Sequence, residues 1–214
     1  MNGPPTRRER QAMTRERLLD VAAEELVANG YMGTSLDRVA ELAGFSKGAV
    51  YSNFANKEEL VLEVLDRHFL HRLDILQERL LAAPENIEGR VEAFTGWWEE
   101  MVSHESWGVL ILEFASATRD RPAIQDELAA RERKIIGFTT MLVNTEIERF
   151  GLELPMSPRE VASVLVSLGS GLSFSRMLDP TIPIHIVSDL ARVLFVDAAK
   201  PAEDQPSMTL DEPE

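Results

Sequence analysis

The 214 residues contain no cysteine, so neither a disulfide nor a thiolate-ligated metal is available to this chain. Basic residues are in short supply, with 22 Lys and Arg against 36 Asp and Glu and a net charge of −14. Such a balance argues at first against nucleic acid, whose phosphates need cations to neutralise them. The uncharged run Val161–Ser175 covers only 15 residues before Arg176, short of the roughly 20 that a membrane span needs. The polar, arginine-bearing start MNGPPTRRERQ has no apolar run to serve as a signal peptide, and a soluble cytoplasmic protein is expected. No alternating strand pattern of useful length, tandem repeat or phosphate loop is found, which leaves helices to build the fold.

What is present is ordinary globular composition, 44% hydrophobic and 27% charged, enough for a small domain and a larger core. The most informative stretch is Thr34 to Leu60, TSLDRVAELAGFSKGAVYSNFANKEEL. Leu36, Val39 and Ala40 share one face of a first short helix. Ala49 and Val50 point inward from a second, and Gly44 between them is free to take a left-handed turn. Thr34 with Asp37, Ser46, and Asn56 with Glu59 mark three successive helix starts. This is a helix-turn-helix, and its second helix leaves Lys47, Gly48, Tyr51, Ser52 and Asn53 outside, within reach of one groove of a duplex. The charge is unevenly spread: residues 1 to 57 hold eight Lys or Arg against seven acids, leaving −15 for the remainder. An acidic body on a locally neutral tip turns the tip toward DNA.

Elsewhere the periodicity predicts helices at about Thr14–Asn29, stopped by Gly30, and from Lys57 to about Leu81, ended by Pro84. Further helices are expected at about Ile87–His104, Trp107–Thr118, Pro122–Phe150, Pro158–Leu178 and Pro183–Ala199, several opening with proline. The tail from Lys200 to Glu214 is expected to be disordered.

The helix order, with GYMGTSLDRVAELA followed by GFSKGAVYSNFANKEEL, resembles the tetracycline-repressor (TetR) family of transcription regulators. The resemblance covers residues 11–71 as sequence and the rest as length and helix pattern. It implies an all-α fold of about nine helices. Residues 11–71 would form a three-helix DNA-binding domain with its motif at 34–53, and residues 72–199 a helical ligand-binding and dimerisation domain. It also implies a homodimer that binds a palindromic operator and releases it when a small molecule enters the second domain. By position, Thr34, Ser35, Ser46, Tyr51 and Lys57 correspond to residues that hold the phosphate backbone. Base contacts fall to Lys47, Gly48, Ala49, Ser52 and Asn53: lysine donates to guanine, asparagine pairs bidentately with adenine, and Ala49 meets a thymine methyl. The family often has a larger residue where Ser52 stands. Arg38 meets phosphate or pairs with Asp37 or Glu41. Arg7, Arg8 and Arg10 form either a minor-groove arm or a solvated, disordered extension, the second being the ordinary reading.

In the larger part, Phe94, Trp97, Trp98, Met101, Trp107, Phe114, Phe138 and Met141 gather most of the bulky side chains. They form an effector pocket or the core of a helical bundle. Glu113 interrupts the apolar run GVLILEFASA and, if turned inward, would select a cationic or hydrogen-bonding ligand. Ser163, Ser167, Gly171 and Ser175 recur every four residues and let another helix approach. With Ile186, Leu190, Val193 and Leu194 they are expected to build a four-helix dimer interface with a second copy. An enzyme is not expected. His68 and His71 lack a third ligand, His104 and His185 lack a catalytic partner, and neither metal nor cofactor is implied. The alternatives are a transcriptional activator of the same fold, or a helical protein-interaction module without DNA binding.

Overall fold

The structure, a computed structural model, describes residues 6–103 and 106–197; His104 and the tail expected to be disordered lie outside the described residues. Among these residues every regular element is helical: α1 (Arg7–Gly33), α2 (Leu36–Ala43), α3 (Lys47–Tyr51), α4 (Lys57–Ala82), α5 (Ile87–Ser103), α6 (Ser106–Ala117), α7 (Pro122–Phe150), α8 (Pro158–Leu178) and α9 (Ile186–Ala191), the last running into a π-helical turn at Arg192–Val196. The all-α expectation holds, and the boundaries of α4 to α8 fall within a few residues of the apolar pattern.

Two ends differ. α1 starts about two turns before Thr14, because Thr6 and Glu9 form a capping box: Glu9 N–H donates to Thr6 Oγ1 at 3.3 Å and Thr6 N–H to Glu9 Oε2 at 2.6 Å. These bonds to the Thr6 backbone and hydroxyl hold the Glu9 carboxyl below the ordinary carboxylate range. The disordered reading of Arg7, Arg8 and Arg10 is therefore replaced by helix. At the other end of the chain α9 starts at Ile186 rather than Pro183, since Ile182 N–H turns back to Asp179 O at 3.2 Å.

The described residues form two compact units, one of residues 6–74 and 106–131, the other of residues 75–103 and 132–197. In the first, Leu18, Ala22 and Leu26 of α1, Val39 and Ala40 of α2, Val50 of α3, and Leu60, Val61 and Val64 of α4 share a core with Leu110 and Phe114 of α6. Residues 106–131, expected in the C-terminal domain, thus group with the N-terminal helices because α6 carries two wholly buried side chains into their core. In the second unit, Leu76, Val91, Trp97, Trp98, Val143, Val161, Leu165, Leu172, Val187 and Leu194 pack together. α8 is long and apolar enough, by length and composition, to cross a membrane. Here Val161, Ala162, Leu165, Gly169 and Leu172 turn into the unit's own core.

The aromatic set expected to line one pocket is divided. Phe114 and Trp107 belong to the core of the first unit, whereas Trp97, Trp98, Phe94, Met101 and Phe138 pack in the second. Met141 stays 54% exposed, and Glu113 is exposed as well. The set does not converge because its members are committed to two separate cores, and Glu113 meets the Tyr31 N–H rather than a pocket. Among the residues expected at a dimer interface, Leu194 is buried to 7% in its own unit and Leu190 packs against the same core. The π-helical turn shifts the register of the last helix, and this places Leu194, Phe195 and Val196 inward together. Ser167, Gly171, Ile186 and Val193 remain exposed, with Ser163 and Ser175 half-buried.

Gly169 touches Trp98 closely enough that a Cβ would stand 2.8 Å from the indole Nε1, with Trp98 itself buried. Gly169→Val is expected to cost about 1–3 kcal/mol. At Gly137 of α7 an added Cβ meets nothing within 4 Å, and Gly137→Ala is expected to add roughly 0.5–1 kcal/mol. Thermal denaturation of the two variants checks the opposite signs.

Candidate nucleic-acid interface

α2 and α3 meet as the spacing requires. Ser35 caps α2 by accepting from Arg38 N–H at 3.2 Å, and Gly44 takes φ +75 with its N–H bonded to the end of α2. Ser46 caps α3 by accepting from Ala49 N–H at 3.2 Å. Val50 is fully buried and anchors α3, and Phe54 closes the core behind it. This fixes an outer surface on which Ser35, Arg38, Ser46, Lys47, Gly48, Tyr51 and Ser52 are exposed and Ala49 is half-buried. Tyr51 shows 55% of its surface and nothing crowds Gly48 within 3.8 Å, so the backbone of α3 is open to close approach.

The cations on this surface are already engaged. Lys47 Nζ donates to Asp37 Oδ2, and that bond raises the ammonium pKa. Arg38 pairs with Glu41 at 3.0 Å and lies 4.0 Å from Glu25. These exposed pairs are worth little in water and are open to exchange for phosphate.

Three residues placed on the interface by resemblance face inward. Thr34 is 3% exposed and its hydroxyl donates to Gly30 O at 2.8 Å, closing the end of α1. Asn53 donates Nδ2 to Ala49 O at 2.8 Å, while its Oδ1 is buried without a hydrogen-bond partner. An amide so turned cannot present both groups to an adenine; it terminates α3 instead. Ser52 also donates to Ala49 O, at 2.9 Å, but remains exposed. Lys57 is bent back. Its ammonium donates to Tyr31 O and lies 3.9 Å from the centre of the Tyr31 ring, where burial lowers its pKa against the raising effect of Glu58.

Tyr31 is the residue that the sequence pattern did not single out. It follows Gly30, whose φ of +68 breaks α1 just before α2 begins. Its N–H donates to Glu113 Oε2 at 2.9 Å, its ring meets Phe114 at 5.0 Å between centroids, and its hydroxyl donates to Glu58 Oε1 at 3.0 Å. Arg121 binds the same Glu58 oxygen at 2.5 Å. Burial and the bond to Glu58 push the Tyr31 phenol up to about 12. Burial pushes the Glu58 carboxyl up, but backbone N–H, the Tyr31 hydroxyl and Arg121 together outweigh it and hold the group below its ordinary value. Two signals pointed here: an aromatic directly after the helix-stopping Gly30, and a carboxylate within an apolar run at Glu113. A Cβ on Gly30 would fall 2.5 Å from Glu113 Oε2, so glycine serves both the backbone turn and the approach of the carboxylate.

Comparison with known proteins agrees with this geometry. Residues 18–64 match the sequence profile of bacterial regulatory proteins of the tetR family. The HTH-type transcriptional activator FasR of Mycolicibacterium smegmatis is 34% identical over 119 residues, which is 54% of this chain and 52% of that protein, about half its length. The HTH-type transcriptional regulator YhgD of Bacillus subtilis is 28% identical over 160 residues, 73% of this chain and 81% of the relative. Among solved structures, reduced NemR of E. coli superposes with a TM-score of 0.70 at 20% identity, covering 85% of this chain and 97% of that one; this likeness concerns the fold. The matched relatives are regulators rather than enzymes. Among the described residues no group of three or more His, Asp or Glu is placed to hold a metal ion.

The Tyr31–Glu58 bond makes a definite prediction. Tyr31→Phe leaves the ring and removes the hydroxyl, and is expected to cost about 1.5–3 kcal/mol, the range for a bond to a charged group. Because the folded Glu58 pKa is depressed, its contribution is present above about 4.5 and is lost as pH falls through the folded-state value. Urea denaturation at neutral and acid pH should therefore show the Tyr31→Phe deficit shrinking on the acid side.

Proposed function

Given that the chain belongs to the tetR family of bacterial regulatory proteins, we propose that it acts in the cytoplasm as a ligand-responsive homodimer. It binds a palindromic operator through α2 and α3, and a small molecule taken up by residues 75–197 releases it, so that it represses transcription. The observation that carries this reading is the outer surface of α3, where Lys47, Gly48, Tyr51 and Ser52 are exposed on a helix held from behind by Val50. In contact with a duplex, Lys47 exchanges Asp37 for a base edge or a phosphate, and Lys57 exchanges the Tyr31 carbonyl for a phosphate. Ser35, Ser46 and Tyr51 supply further hydroxyls to the backbone, and Arg38 a guanidinium.

The dimer reading is supported by the face of α8 that its own unit leaves uncovered. Val164, Ser167, Gly171, Phe174 and Leu178 recur along it at three- and four-residue steps and are all exposed. Ile186 and Val193, toward the end of the chain, are exposed apolar side chains as well. Two copies joined there would set two α3 helices on successive half-sites.

Response to a ligand acts through α4 in this reading. Its first residues, Lys57 and Glu58, grip Tyr31, while its last turns, including Leu76 and Leu80, belong to the second core. A shift of the helix then alters the grip on Tyr31 and with it the entry to α2. The activator reading is favoured by one observation, the name of the M. smegmatis relative.

Selection of bound duplexes from a random pool tests the proposal. Enrichment of a two-fold repeat, together with a solution mass of twice 24.0 kDa, is expected. A monomer that enriches no duplex would contradict it. A reporter carrying the selected site, which overlaps the promoter in one version and lies upstream in another, separates repression from activation.

A further inference from the structure

The early start of α1 brings a basic helix end against the end of α3. Arg8, Gln11, Ala12 and Arg15 lie at three- and four-residue steps on one face of α1, and with Ser52 and Asn53 they line an open hollow of about 310 Å³. Arg15 is committed inside it. Its guanidinium donates to Glu63 Oε1 at 2.9 Å and to Asn53 O, and stacks 4.3 Å from the centre of the Phe54 ring. Arg8 is exposed and has no ion pair or hydrogen bond among the described residues. Asn53, one of the residues lining the hollow, has its Oδ1 buried without a hydrogen-bond partner.

We propose that this hollow is a second DNA contact, in which Arg8 and Gln11 hold a backbone phosphodiester beside the end of α3. The proposal rests on the reading of α3 as the groove-entering helix. Phosphates line the walls of a groove about 12 Å wide, and a helix lying in it carries its end residues, here Ser52 and Asn53, toward one wall. A guanidinium has five N–H donors in a planar fork. Turned into the hollow, Arg8 gives two parallel donors to a phosphate, beside the exposed Ser52 at the end of α3. Gln11 adds a neutral amide donor one turn along. Lys47, Arg38 and Lys57 must each give up an internal partner to reach DNA, whereas Arg8 gives up only water. The N-terminal turns of α1 would then supply phosphate binding that the acidic chain otherwise has in short supply.

The test compares Arg8→Ala with Arg10→Ala, which removes the same charge from the other side of α1. Both positions are exposed, and alanine keeps the helix. Affinity for the selected duplex and for a scrambled one is measured from about 50 to about 200 mM salt. Arg8→Ala should weaken both duplexes alike and reduce the log–log salt slope by about 1. Arg10→Ala should change the slope by less than half as much, and Gln11→Ala should weaken binding with the slope unchanged. Equal effects of Arg8→Ala and Arg10→Ala would mean diffuse charge and overturn the site, as would a wild-type slope in Arg8→Ala. If the wild-type chain binds no duplex at all, the DNA-binding reading falls first and this site with it.

Discussion

Tyr31 is held at its amide, carbonyl, ring and hydroxyl by different groups, and the orientation of the helix-turn-helix depends on that grip. Glu113 takes the amide, Lys57 the carbonyl and one ring face, Phe114 the ring, and Glu58 the hydroxyl, with Arg121 on the same carboxylate. A few residues later the chain enters α2 through Thr34 and Ser35. Thr34 is itself tied to Gly30 O, so the kink, the connector and the first motif helix form one ordered path. Buried polar groups are costly unless satisfied, and here all of those on Tyr31 are satisfied. The contact therefore fixes one geometry of entry into α2 rather than merely adding apolar area.

That arrangement also explains how an acidic chain keeps its DNA-facing surface in order. The motif's cations rest on internal acceptors, Lys47 on Asp37, Arg38 on Glu41 and Lys57 on a carbonyl. Each contact is an ion pair or dipole that a phosphate can replace at small net cost, since both states satisfy the cation. Lys57 is the instructive one. The ammonium that the proposed function assigns to a phosphate rests on the carbonyl and ring of Tyr31, so in that proposal occupation of DNA and the state of the Tyr31 grip would be linked through one side chain.

Most of the fold was legible because its signals are local. Apolar periodicity, the cap at Ser46, and the glycines Gly30 and Gly44 act within a few residues of where they stand; the cap of α2 falls on Ser35, one residue after the expected Thr34, whose hydroxyl donates to Gly30 O. The start of α1 was legible too, in Thr6 followed by Glu9, but a run of arginines reads more readily as a solvated arm than as a capped helix. The grip on Tyr31 was not legible, since Glu113 lies 82 residues away from it and no period connects them. Asn53 shows the same limit at short range: its residue type suits adenine, yet which way the amide turns is decided by Ala49 O and by burial. The aromatic set failed for a related reason. Bulk gathered in sequence is shared between two cores once α6 commits Phe114 to the first.

The affinity of Glu113→Ala for the selected duplex is the most direct test of Tyr31 as the keystone of the DNA-binding geometry. Glu113 is exposed and lies outside the interface itself, so its loss removes the bond to Tyr31 N–H without touching a DNA contact. Measured well below the variant's melting temperature, the affinity should fall by about tenfold, which corresponds to about 1.4 kcal/mol of lost preorganisation. Wild-type affinity in a variant of intact fold would contradict the account, and tighter binding would contradict it equally.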